Sequence, residues 1–385
     1  MFAARTADAR PGFGDACVVE LESGVAALAD DDQALPRVLA SRLPAVVFGG
    51  SALRLEEWPV SESVPSLLER RLVIVTGKGG TGKTSVVAAL ALAAAETGRR
   101  VLVAEVGRDE HVTRLLSPGA RPVGYAGREL RPGLRVMRID PFAALAEYLG
   151  LQLHVRSLVD LVLRNRAFRQ LMDAAPGWRE LITLGKIWHL EQMKETSGAP
   201  RYELLLVDAP ATGHGLTLLD VPRVVGAAVR AGPLRKHAGF VEEMILDRER
   251  TLLLPVALAE ELPARETAEL ALRVRSEVGI ALDRVVVNGI TSAPFPRGLE
   301  DLDERLAALP RGTTLPGLPS PSVLAACGAH LRSRVELNRH WVAEIAKMTA
   351  LPVVSLPYLS SGIRGPEDLA RLVAPLLARP SAAAA

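Results

Sequence analysis

Lys83 and Thr84 close an eight-residue run, Gly77-Lys78-Gly79-Gly80-Thr81-Gly82-Lys83-Thr84, whose spacing fits G-x-x-x-x-G-K-[ST]. That spacing suits phosphate. Glycines let the backbone wrap closely and turn its N–H groups inward as an anion nest. The Lys83 ammonium is a point charge for β- and γ-phosphate oxygens, and the Thr84 hydroxyl is a Mg²⁺ ligand, with Ser85 next in the same turn. A second constellation lies downstream, where the apolar run 202–207 ends in Asp208. A carboxylate delivered by a buried strand would hold Mg²⁺ directly or through water, beside the threonine. The expected ligands are therefore a nucleoside triphosphate and Mg²⁺, with Thr84 and Asp208 on the metal.

These groups need a rigid frame. Residues 71–76 read as a buried strand, and 85–97 as an Ala/Leu/Val helix whose N-terminus faces the phosphates. Strands are expected at 72–76, 101–106, 134–139, 204–207, 251–256, 284–288 and 352–355, alternating with helical stretches. Most are short Val/Ile/Leu runs without polar alternation, as in strands covered on both faces. The predicted fold is α/β: a doubly wound, mostly parallel sheet carrying a phosphate loop, with a helical insertion. In such sheets ligands sit at the carboxyl ends of the strands, where residues 77–84 fall. Residues 1–67 read as a weakly structured extension, 68–378 as the nucleotide-binding domain with a helical subdomain at about 141–197, and 379–385 as a tail.

Composition narrows the classes. Of 385 residues, 49% are hydrophobic and 23% charged, ordinary for a globular protein. Lys and Arg number 46 against 44 Asp and Glu, a net charge of +2, which argues against nucleic acid as a partner. No apolar run approaches transmembrane length, so no stable membrane insertion is expected. Cys17 and Cys327 form no C-x-x-C and no cluster with His, so a zinc site is not expected. Two isolated thiols fit a reducing compartment, and the expected location is cytoplasmic.

The stretch Asp208-Ala209-Pro210-Ala211-Thr212-Gly213-His214, followed by Leu216 to Leu219, resembles the switch II signature of the arsenical pump-driving ATPase family, which includes ATPases that target tail-anchored proteins. Lys78, five residues before Lys83, matches the extra lysine of the deviant Walker A class to which that family belongs. The resemblance implies ATP as the nucleotide, hydrolysed by water, and a homodimer in which Lys78 reaches the partner's nucleotide. Lys78, Lys83 and Asp208 are then the catalytic candidates, with Thr212 and Gly213 sensing the γ-phosphate. His214 is more readily a structural hydrogen-bonding residue of the loop than a base. By the same resemblance, Asn288 at a strand end and Pro357 in a C-terminal segment border the adenine. The family's usual Glu in that segment is replaced near Ser361 and Gly362. The client protein is unspecified.

The chain also departs from the family. Strand-to-strand alignment puts Gly107 where the family carries an Asp that orients the attacking water. Either Asp109 or Glu110 substitutes, or hydrolysis is slow. A nucleotide switch with little turnover, and a heterodimer with a paralogous ATPase supplying the missing carboxylate, therefore stand beside the homodimeric ATPase. A partition or division-site ATPase shares the loop. Glu105, at the end of the second strand, points either at the Mg²⁺ shell or into a purely structural contact. Arsenite activation is disfavoured, because soft As(III) needs clustered thiolates.

Overall fold

The computed structural model describes residues 67–378 apart from 108, 154–162, 167, 169, 171–176, 229–231, 294 and 296–297. The expected extension, except Leu67, and the expected tail lie outside the described residues. By contacts the chain divides into two compact units, one of 64–290 with 340–385, the other containing 291–339.

The first unit holds the sheet. Its strands are β1 (Leu72–Thr76), β2 (Val101–Val106), β3 (Arg128–Arg131), β4 (Leu134–Ile139), β5 (Leu204–Asp208), β6 (Thr251–Leu258), β7 (Val285–Ile290) and β8 (Val353–Pro357), in the order β3-β4-β2-β5-β1-β6-β7-β8. Every pairing is parallel except β3 with β4. The α/β reading of the sequence is therefore correct. All seven expected strands are present, and β3 is an antiparallel edge strand that was not expected.

Side-chain alternation builds two cores. Val73 and Val75 of β1, Val101 and Val103 of β2, and Leu204 and Leu206 of β5 face one hydrophobic layer. Leu72, Ile74, Leu102, Ala104, Leu205 and Val207 face the other. The first layer is closed by α1 (Lys83–Glu96), by α2 (His111–Leu116) and by the C-terminal helix described below. The second is closed by residues of α4 (Trp178–Gln192), α5 (Thr212–Ala228) and α6 (Pro233–Leu246). Helix α3 (Pro141–Leu153) precedes α4, and α7 (Glu261–Arg273) follows β6. The second unit includes α8 (Leu302–Ala307) and the first part of α9 (Pro321–Thr349), and α10 (Pro366–Leu377) ends the described chain.

A charged cluster ties α4 to the starts of β1 and β6. Glu191, only 4% exposed, accepts from Arg71 Nε at 3.2 Å and from Arg250 Nε at 3.1 Å. Burial pushes its carboxyl up, but Arg250 and then Arg71 outweigh this and hold it below the usual range. Removing one member of a buried pair strands the other charge. Here both guanidiniums keep about a quarter of their surface in water, 29% for Arg71 and 23% for Arg250. Glu191→Ala should therefore cost about 2–3 kcal/mol, below the range for fully buried pairs. A urea unfolding midpoint unchanged from wild type would refute this.

Cys327 was expected as an isolated thiol. It is instead buried and disulfide-bonded, so its chemistry is that of a cross-link and not of a nucleophile. Cys17 lies outside the described residues.

Candidate functional site

Strand β1 is buried along its whole length and delivers its C-terminal end directly into residues 77–82, after which α1 begins at Lys83. Two glycines of the loop are required by close approach. A Cβ on Gly77 would lie 2.1 Å from the Val256 carbonyl oxygen, and one on Gly82 2.1 Å from Asn288 Nδ2. Around Gly79 and Gly80 nothing lies within 4 Å of a Cβ, so this rim of the loop faces open space. The α1 N-terminus carries no side-chain cap. Its first-turn N–H groups and positive dipole end suit an anion arriving through that space.

The loop is drawn around one carbonyl. The Lys78 oxygen accepts from Lys83 Nζ at 2.9 Å and from the Thr81 hydroxyl at 3.0 Å. Burial lowers the Lys83 pKa, against the charge of Asp208, which raises it. The Lys78 side chain points elsewhere, with Nζ 2.8 Å from Glu266 Oε1 on α7, and each of these side chains is 33% exposed. Ser85 is half-buried in the first turn of α1.

Asp208 comes from β5, directly beside β1 in the sheet, with Val75 and Asp208 in register. Thr84 Oγ1 donates to Asp208 Oδ2 at 2.8 Å. Burial raises the Asp208 pKa, while Thr84, Lys83 and His111 pull it down. One hydroxyl and one carboxylate are a donor set suited to Mg²⁺, which takes few protein oxygens and fills its octahedron with phosphate and water. Among the described residues there is no cluster of three His, Cys, Asp or Glu side chains that would hold a metal without the phosphates.

Glu105 takes the structural alternative. Its carboxylate accepts from the Val112 N–H at 2.7 Å and the Thr113 hydroxyl at 3.4 Å, clamping the start of α2. It is 2% exposed and in register with Asp208. Burial pushes its pKa up from 4.5 to about 7. A carboxyl protonated more readily in the folded than in the unfolded chain makes stability fall as pH rises between those two values. Above the window the ionised Glu105 costs about 3 kcal/mol. Glu105→Gln keeps an acceptor for Val112 and removes that cost. In metal-free buffer the variant should be more stable than wild type at pH 8, and its stability should vary less from pH 4.5 to 7. Parallel stability–pH curves for the two proteins would contradict this.

In the connection after β2 the two acidic residues differ in what engages them. Glu110 is committed elsewhere: it accepts from the Val123 and Gly124 N–H groups at 2.6 and 2.9 Å and pairs with Arg138. Asp109 is 69% exposed, with only a long contact of 4.0 Å to His111 Nε2 among its ion pairs. Of the two, Asp109 alone keeps its carboxylate accessible.

The structure gathers residues 77–85, Asp208 and Asn288, but gives Asn288 a role that the sequence did not suggest. Its side-chain amide donates to the Thr81 carbonyl at 3.0 Å and so braces the loop from β7. Pro357 ends the edge strand β8, paired with Ile290 of β7. Thr212 and Gly213 open α5 four and five residues beyond Asp208, but the side chains of 212–217, His214 included, lie outside what is described. Glu266 was missed, because nothing marks one Glu among the charged residues of α7 as the partner of a lysine 188 positions away.

Residues 70–238 match the sequence profile of the anion-transporting ATPases. The chain is 29% identical to the ATPase BagA of Mycobacterium tuberculosis over 311 residues, 76% of this chain and 88% of that protein. It is 30% identical over 322 residues to an uncharacterized protein of Streptomyces coelicolor, covering 79% of this chain and 76% of that one. An arsenical pump-driving ATPase of Escherichia coli is 26% identical over 275 residues, which is 64% of this chain but 45% of the pump ATPase. The phosphate loop, the Asp208 strand and these similarities agree: the chain belongs to the anion-transporting ATPase family.

Proposed function

We propose that the protein binds ATP with Mg²⁺, hydrolyses it, and uses the cycle to open and close a dimer that acts on a protein or membrane-protein partner. The observation that carries this reading is the contrast between the two loop lysines. Lys83 is half-buried against its own loop, where the phosphates of its own nucleotide would replace the Lys78 carbonyl. Lys78 is held outward by Glu266 in a pair that is one-third exposed at both ends. Such a pair is worth at most about 1 kcal/mol, so Lys78 is free to exchange Glu266 for the phosphates bound to a second subunit.

Thr84 and Asp208 would hold the Mg²⁺, which when bound offsets the phosphate charge. Water would attack the γ-phosphate in line, helped mainly by positioning and by charge from Lys83 and the partner's lysine. Loss of the γ-phosphate would be felt along the segment from Asp208 into α5, the expected switch. No helix among the described residues is long and apolar enough to cross a membrane.

Gly107 favours a second reading. With Glu110 committed and only Asp109 accessible, a subunit that turns over slowly alone and is completed by a paralogous chain fits the same geometry. Isothermal titration tests the nucleotide site itself. Lys83→Ala should weaken ATP binding by about 10- to 100-fold, the range for losing a charge-assisted contact. An unchanged affinity would remove the loop from the account.

A further inference from the structure

A cavity of about 120 Å³ lies away from the phosphate loop, bordered by α3, α4 and α6. By volume it is close to the roughly 150 Å³ that holds a benzene ring in an engineered protein interior. Its walls are mainly apolar, from Ala144, Leu181, Ile182, Val241 and the Trp188 ring, which is stacked on Phe240 with the centroids 5.4 Å apart.

Gly185 is the second clue. It lies in the interior of α4, where glycine weakens a helix. Nothing lies within 4 Å of the position its Cβ would take, so packing does not require a glycine there. Its effect is to keep the cavity open along the α4 wall.

Charge in the cavity is balanced. Lys186, 10% exposed, donates to both Glu147 oxygens at 2.6 and 2.9 Å, and Tyr125 donates its hydroxyl to the same carboxylate. Burial holds the His189 imidazole below its usual pKa, with Lys186 adding to the effect and Glu147 opposing it. A charged guest would have to compete with the Lys186–Glu147 pair. A neutral one would not, and Tyr148, His189 and His237, which carry hydrogen-bonding groups, are among the lining residues. Tyr148 Oη lies 3.5 Å from His237 Nδ1, a hydrogen bond at the long end of the range.

We propose that this cavity is a binding site for a neutral organic molecule of single-ring size bearing one hydroxyl or carbonyl group. The site is separate from the nucleotide loop and does not depend on the proposed ATP cycle.

The test uses the full chain, with phenol as probe and benzoate as its charged counterpart, by calorimetric titration near pH 7. Phenol should bind saturably with a Kd at or below about 1 mM, and benzoate at least tenfold more weakly. Gly185→Leu should fill the cavity and weaken phenol binding at least tenfold while raising the unfolding midpoint, because leucine favours the helix. Ala144→Leu fills it from α3 and decides the matter should the first variant fail to fold. Absence of saturable phenol binding would overturn the site, as would phenol affinity unchanged in a folded filling variant. Benzoate bound as tightly as phenol would overturn its neutral character.

Discussion

Lys78→Ala should lower ATP turnover by about 10³–10⁵, the range over which a cationic finger supplied from a neighbouring subunit accelerates phosphoryl transfer. The expectation follows from where the side chain is held. Its own loop uses the Lys78 carbonyl as the anchor for Lys83 and Thr81, and alanine keeps that carbonyl. The fold of the loop and ATP binding by the monomer should therefore survive. What disappears is the ammonium now resting on Glu266. A calorimetric titration showing near-wild-type ATP affinity, beside a collapsed steady-state rate, is the expected pair of results. Equal losses in both would mean that Lys78 serves its own nucleotide. Turnover and dimerisation both intact would make it a solvated loop lysine.

Gly107→Asp should raise turnover by about 10²–10⁴ where the site lacks a water-positioning group, the contribution of a positioned acid–base group. The position accepts the change: its backbone is outside the left-handed region and nothing lies within 4 Å of an added Cβ. A carboxylate there would stand just past the end of β2, which lies beside β5 and its Asp208. Asp109→Asn distinguishes the alternatives. Where Asp109 already positions the water, that variant loses activity and Gly107→Asp gains little. Where the site lacks a positioning group, Asp109→Asn is silent and Gly107→Asp gains the full factor. A silent result in both, with measurable turnover, would place the water-orienting group elsewhere, a paralogous subunit included.

Much of this is legible in the sequence. The covered strands announce themselves as Val/Leu/Ile runs, because both of their faces are buried and polar alternation is not needed. The strand-loop-helix around 77–84 and the carboxylate ending β5 were readable because each position has one chemical reason. Strand β3 was missed since Arg-Glu-Leu-Arg at 128–131 is an exposed edge, held by backbone pairing to β4 and not by burial. The clamp of Glu105 on α2, the brace of Asn288 on Thr81 and the latch of Glu266 on Lys78 were not legible. Each depends on the rotamer of one polar side chain reaching an element that only the tertiary fold brings near. The same holds for Glu110. Its engagement with the 123–124 turn is set by the tertiary fold and not by its residue type.

Light scattering on the purified full chain with Mg²⁺, with and without a non-hydrolysable ATP analogue, for wild type and Lys78→Ala, reads the proposed nucleotide-driven dimer by its mass. The analogue should shift the wild type from monomer to dimer mass, and Lys78→Ala should stay monomeric at nucleotide saturation. A mass that ignores nucleotide, or a variant that dimerises like wild type, would contradict it.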